Sequence, residues 1–113
     1  MLELQTVVEL DSFIRRAKAI MSDAERVAIV NFVAANPELG ISLGGGLRKV
    51  RFARPGSGKS SGYRTIYLYG GNTVPLFLVT VFAKNEKDNL TPSEQAILVN
   101  AGKALLANYG AKQ

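Results

Sequence analysis

Residues 74–82, Val-Pro-Leu-Phe-Leu-Val-Thr-Val-Phe, make an almost unbroken apolar run rich in β-branched and aromatic side chains. Such a run reads as a strand covered on both faces, because the usual period-two alternation disappears when neither side meets water. Pro75 belongs at its beginning, where a missing amide interrupts no ladder. One segment of this kind demands a sheet and enough further chain to cover it twice. The 113 residues supply one core and not two, so the expectation is a single domain over residues 1–113 with this strand at its centre.

The flanking segments say what surrounds it. Residues 3–9 read as a short first strand. Asp11 or Ser12 is placed to cap a helix over 12–21, with Phe13, Ala17, Ile20 and Met21 at helical spacing. Ser22-Asp23-Ala24-Glu25 is a capping box, in which hydroxyl and carboxylate each satisfy an amide that the helix start leaves open. The second helix it opens carries Val27, Val30, Val33 and Ala34 and stops at Asn36-Pro37, since a residue before proline is pushed out of helical dihedrals. Gly40–Gly46 reads as a flexible turn. Leu47–Arg54 alternates as a strand, Pro55–Gly62 is a loop by composition, and Tyr63–Tyr69 is the next strand. Thr91-Pro92-Ser93-Glu94 is a second capping box, with proline at the first helical position. The helix it starts is expected to run to about Asn108, using Ile97, Leu98, Ala101, Leu105 and Tyr109 as apolar contacts, with Gly110 ending it. The order is β-α-α-β-β-β-α: an α+β domain with a largely antiparallel sheet, a helical hairpin and a C-terminal helix packed on it.

Charge is distributed unevenly over this frame. The net charge is +5, yet no Asp or Glu lies between Glu38 and Glu86, a stretch holding Arg48, Lys49, Arg51, Arg54, Lys59, Arg64 and Lys84. Interspersed ion pairs cannot form there, so adjacent strands from this stretch make a positive field suited to phosphate, which Arg binds bidentately. The chain has no Cys and no His, which removes disulfides, thiol nucleophiles, imidazole bases and nearly all zinc chemistry. Glu3, Glu9 and Asp11 interrupt any leader-like run, and no span approaches the roughly 20 apolar residues of a membrane helix. The reading is a soluble, cytoplasmic protein without a membrane partner.

Gly56-Ser57-Gly58-Lys59-Ser60 imitates the end of a phosphate-binding P-loop, but Ala53 stands where that motif needs its first glycine, and a strand follows rather than a helix. A mobile basic loop is the better reading. Alternation puts Lys49 and Arg51 on one face of their strand, with Arg64 on the strand hairpinned to it. If all three point one way they form either a solvated face whose stems cover apolar surface or a cradle for a phosphodiester. Arg48 and Arg54 fit a rim. Lys84 and Asn85 follow the apolar strand directly, and polar groups at strand ends commonly carry chemistry. Tyr63, Tyr67 and Tyr69 are either core or stacking surfaces for bases.

Taken together, Gly44-Gly45-Gly46-Leu47-Arg48-Lys49-Val50-Arg51, Gly58-Lys59-Ser60-Ser61-Gly62-Tyr63-Arg64-Thr65-Ile66-Tyr67 and Val81-Phe82-Ala83-Lys84-Asn85-Glu86 resemble, in order and spacing, the RelE superfamily of bacterial toxins, closest to its HigB-like branch. The resemblance spans nearly the whole chain. It implies a toxin of a type II toxin–antitoxin pair that enters the ribosomal decoding site and cleaves messenger RNA, an mRNA interferase needing no metal and no cofactor. The implied catalytic set is Lys49 and Arg51 as the basic pair of one strand, Arg64 as the transition-state arginine of the next, and Lys84 closing the following one. Arg48, Arg54, Lys59, Tyr67 and Asn85 are implied as RNA or ribosome contacts. The implied partners are the ribosome, its message and a cognate antitoxin, in the HigB-like branch often a helix-turn-helix protein encoded alongside. The chain departs from the pattern at Asn85, where some relatives carry arginine, at Ser60-Ser61 in place of Arg-Gly, and in having no clear counterpart of a late tyrosine or histidine. Two other functions are compatible with the residues: a non-catalytic toxin of the same fold, such as a gyrase poison or an inactive relative, and a plain nucleic-acid-binding module.

Overall fold

The computed structural model describes residues 5–53, 62–87 and 89–110. Strand β1 (Val7–Glu9) leads into helices α1 (Asp11–Ile20) and α2 (Asp23–Ala35); β2 (Ile41–Gly44), β3 (Leu47–Ala53), β4 (Gly62–Leu68) and β5 (Leu76–Ala83) follow, and α3 (Pro92–Gly110) closes the chain. The expected order is present, with one short strand added. β2 forms inside the stretch that reads as a glycine turn, because Ile41 and Ser42 pair antiparallel with Lys49 and Arg48 before Gly44, Gly45 and Gly46 take positive φ and reverse the chain. Ordered β1-β5-β4-β3-β2, the sheet is antiparallel except for the β1–β5 pair.

That order corrects the expectation about the centre. The most apolar strand, β5, has only three-residue β1 beyond it, whereas β4 lies in the middle and is buried at every position from Gly62 to Leu68. Polar Arg64 and Thr65 are therefore enclosed, at 2% and 0% exposure. A sequence of mixed polarity does not advertise that position.

Helices cover both faces. On one, Phe13 and Ala17 of α1 and Ile29 and Val33 of α2 pack with Val50, Tyr63, Tyr67, Leu78 and Val81. Complete burial of a side chain such as Phe13 or Ile29 contributes about 1.5–3 kcal/mol. On the other, Leu98 and Val99 of α3, together with Leu90, meet Leu47, Ile66 and Phe82. A Cβ at Gly102 would come within 2.8 Å of the Leu68 side chain, so glycine there lets α3 settle close to the sheet. Ile97, expected to be a core contact of this helix, is instead 66% exposed.

Both capping boxes form, Ser22 with Glu25 and Thr91 with Glu94. The expected cap of α1 does not: its N-cap is Leu10, without a side-chain bond, and Ser12 Oγ donates to the Val79 carbonyl of β5 at 2.5 Å. Tertiary docking takes the hydroxyl that local sequence assigns to capping.

Candidate functional site

Directly opposed residues on neighbouring strands project to the same side of a sheet. The register sets Lys49 beside Ile66 and Ile66 beside Thr80, and in the next row Arg51 beside Arg64 and Arg64 beside Phe82. The amide of Lys84 donates to the Gly62 carbonyl at 3.0 Å, which continues the β4–β5 register by one more row. Lys49, Arg51 and Arg64 thus share the α3-facing side of the sheet, and alternation from Phe82 carries Lys84 to that side at its end.

The members differ in access. Arg51 is exposed, Lys49 and Lys84 are half-buried, and Arg64 is buried. The expectation that all three strand cations open onto solvent therefore needs correcting for Arg64, which sits in the central strand beneath the others. Two arginines directly opposite one another across β3 and β4 repel, and such pairs are destabilising. Among the described residues, Lys49, Arg51 and Lys84 form no ion pair. Lys49 donates instead to the neutral Oδ1 of Asn89.

Carboxylates nearby are already occupied. Glu86 accepts from Arg16 at 2.5 Å and from the Ala83 amide at 3.1 Å, and Glu94 accepts from Lys87 at 2.7 and 2.8 Å. Lys87 also lies 5.3 Å from the Phe82 ring centre. The Lys87 ammonium, followed by the Thr91 amide, holds the Glu94 carboxyl below its ordinary value of 4.5. Glu86 and Lys87 staple the β5–α3 connection to α1 and α3.

Two expected RNA contacts lie on the other face. Arg48 is opposite Tyr67 in the register and turns toward the helical hairpin, where its Nη1 donates to the carbonyls of Gly40 at 2.6 Å and Glu38 at 3.1 Å. Tyr67 is fully buried; its hydroxyl accepts from the Gly40 amide and donates to the Pro37 carbonyl, both at 2.9 Å. Burial raises its pKa above the ordinary 10.0. Tyr63 is likewise buried and donates to Ile20 O and Glu25 Oε2. These side chains brace the fold and are not available for stacking. Asn85 is exposed in the turn after β5, while Arg54 and Lys59 lie outside the described residues. Asn89 is the neighbour that sequence reasoning missed: nothing local signals a contact across 40 positions.

Fold and face together define a small α+β protein with Lys49, Arg51, Arg64 and Lys84 brought to one side of its sheet. A family model described as RelE toxin of RelE / RelB toxin-antitoxin system matches residues 7–112. The chain belongs to this family: it is a RelE-like toxin of a toxin–antitoxin system, a family whose members pair with an antitoxin. Among the described residues, no helix is long and apolar enough to cross a membrane.

Proposed function

We propose that the chain is a ribosome-dependent messenger RNA endoribonuclease that blocks translation, with the Lys49–Arg51–Lys84 side of the sheet as its phosphodiester site. The observation that carries this reading is the set of three cations on one side of the sheet, none of them in an ion pair among the described residues. In this mechanism the ribose 2′-hydroxyl loses its proton and attacks the adjacent phosphorus. The bond to the 5′-oxygen breaks, that oxygen takes up a proton, and the products are a 2′,3′-cyclic phosphate and a 5′-hydroxyl.

Exposed Arg51 is the side chain suited to grip the non-bridging oxygens, where negative charge grows in the pentavalent transition state. Arg64, directly opposite Arg51 and buried, lies beneath that side chain and is not suited to a first contact. With no histidine in the chain, proton transfer falls to Lys49 or Lys84, or to groups of the ribosome. The attacking hydroxyl belongs to the substrate, so the chemistry calls for no external nucleophile. Asn85, exposed in the turn after β5 beside Lys84, is suited to a ribosome or RNA contact, and the cytoplasm is where such a protein would act, held by its antitoxin until released.

Inducible expression followed by mapping of message 5′ ends, with and without translation of the same message, tests this. Cuts confined to translated messages support the nuclease. Intact messages accompanied by DNA-damage signalling would overturn it in favour of a gyrase poison. Salt-sensitive RNA binding without growth arrest would reduce the protein to a binding module.

A further inference from the structure

The ammonium of Lys49 is held by a partner that carries no charge, and that choice has chemical consequences. A lysine has three N–H donors on a flexible four-carbon stem, and left alone its head samples many positions. Asn89 Oδ1 accepts one of the three, leaving two for an anion. An amide oxygen orients the ammonium while leaving its full positive charge; a carboxylate in the same place would orient it and cancel the field.

Described residues on both sides of Asn89 are held. It lies in the connection between β5 and α3, which is anchored on both sides. Before it, Glu86 is tied to Arg16 at 2.5 Å and Lys87 to Glu94 at 2.7 Å. After it, the Thr91 amide donates to Glu94 Oε1 at 2.8 Å, and the Glu94 amide donates to Thr91 Oγ1 at 3.1 Å. Glu94 belongs to both anchors, so the loop carrying Asn89 is fastened to the first turn of α3 at its two ends. The acceptor thus sits between two anchored points, Lys87 and Thr91, each two positions away. Leu90, its neighbour, packs against the cluster of Leu47, Ile66 and Phe82 on the same face.

We propose that Asn89 is a positioning residue of the phosphodiester site: it aims the Lys49 ammonium at the scissile phosphate without neutralising it. The proposal rests on the nuclease reading above and deepens it. It also assigns a purpose to the two ion pairs of the loop, which keep acidic groups engaged elsewhere while holding the amide in place.

The test compares Asn89→Ala, Asn89→Asp and Lys49→Ala with the unmodified protein in a translation-coupled cleavage assay, with thermal unfolding followed for each. Loss of aim in Asn89→Ala is expected to lower kcat about 10-fold with KM nearly unchanged, the size of one hydrogen bond to a charged group. Asn89→Asp keeps the shape and the acceptor but pairs with the ammonium, so here KM should rise about 10-fold instead. In a Lys49→Ala background, Asn89→Ala should cause no further loss, because the residue acts only through that lysine. Equal activity of Asn89→Ala and the unmodified protein, or losses that multiply in the double variant, would overturn the assignment while leaving the nuclease reading intact. A change in Tm that accounts for all three activity losses would also overturn it, because it would make the role merely structural. If the unmodified protein cuts no translated message, the nuclease reading fails first and this inference goes with it.

Discussion

Arg48 and Lys49 are consecutive residues of one strand, and the two faces of the sheet give them opposite fates. On the hairpin face, Arg48 spends its donors on the carbonyls of Glu38 and Gly40, and its cross-strand neighbour Tyr67 spends its hydroxyl on Pro37 and Gly40. On the other face, Lys49 meets a neutral amide, and Arg51 forms no ion pair among the described residues. Strand alternation alone separates a cation bonded to carbonyls inside the fold from cations without an ion pair among the described residues. Composition treats the two alike; the number of donors already used inside the fold distinguishes them.

The largest effect expected on this contrast comes from Arg51→Ala. Removing the exposed guanidinium should lower translation-dependent cleavage about 10²–10³-fold, as for loss of one transition-state donor, and abolish growth arrest while Tm stays put. End mapping and a melting curve on the same preparation check both halves. Loss of activity accompanied by unfolding would erase the distinction between the faces.

Arg64→Ala sharpens the comparison from beneath. Because the side chain is buried in the central strand, its removal should weaken toxicity and also cost about 2–4 kcal/mol of stability by leaving space in a packed region. Denaturant unfolding checks this. An Arg64→Ala protein as stable as the parent would mean that the arginine does not help fill the sheet's interior.

On the hairpin face the expected effects are reversed. Tyr67→Phe should cost about 1–3 kcal/mol, the range for buried hydrogen-bonding groups left unsatisfied, and Arg48→Met, whose bonds are only partly buried, about 0.5–1.5 kcal/mol, with cleavage by the folded fraction unchanged in both. Cleavage rates normalised to folded protein would expose a direct RNA role for either residue if one existed.

The smallest effects are in the pH dependence of stability. Glu94 titrates below its ordinary 4.5 in the folded chain, so its contribution is complete above that value and is lost as the pH falls through the folded pKa. Glu94→Gln should therefore flatten the acid limb of a stability–pH curve. Tyr67 titrates above its ordinary 10.0, so its contribution is complete below pH 10 and is lost as the pH rises through the folded value. Tyr67→Phe should remove that alkaline limb. An unchanged limb in either variant would show that the group's environment does not differ between folded and unfolded chains.

Much of this is legible in the chain itself. The capping boxes at Ser22 and Thr91 and the stop at Asn36-Pro37 fall where the structure has them, because each depends on residues within a few positions. The grouping of Lys49 with Arg51 is equally local, following from two-residue periodicity. The start of α1 departs from the local capping pattern because Val79, far along the chain, takes the Ser12 hydroxyl. The rim reading of Arg48 and the open choice between core and stacking for Tyr67 are settled by carbonyls that belong to the turn after α2.

What the sequence determined by itself is the three helices, the four strands other than β2, the capped starts of α2 and α3, and a carboxylate-free stretch of alternating cations. Strand order was decided only in three dimensions, and with it which cation is enclosed and which faces outward. Apolar continuity in 74–82 pointed to β5 as the middle strand, yet pairing β1 beside it and β3 and β2 beyond β4 put Arg64 there instead. The reason is physical: periodicity records which side of a strand a residue faces, whereas burial depends on how many strands and helices lie around it, and that is a property of the assembled sheet.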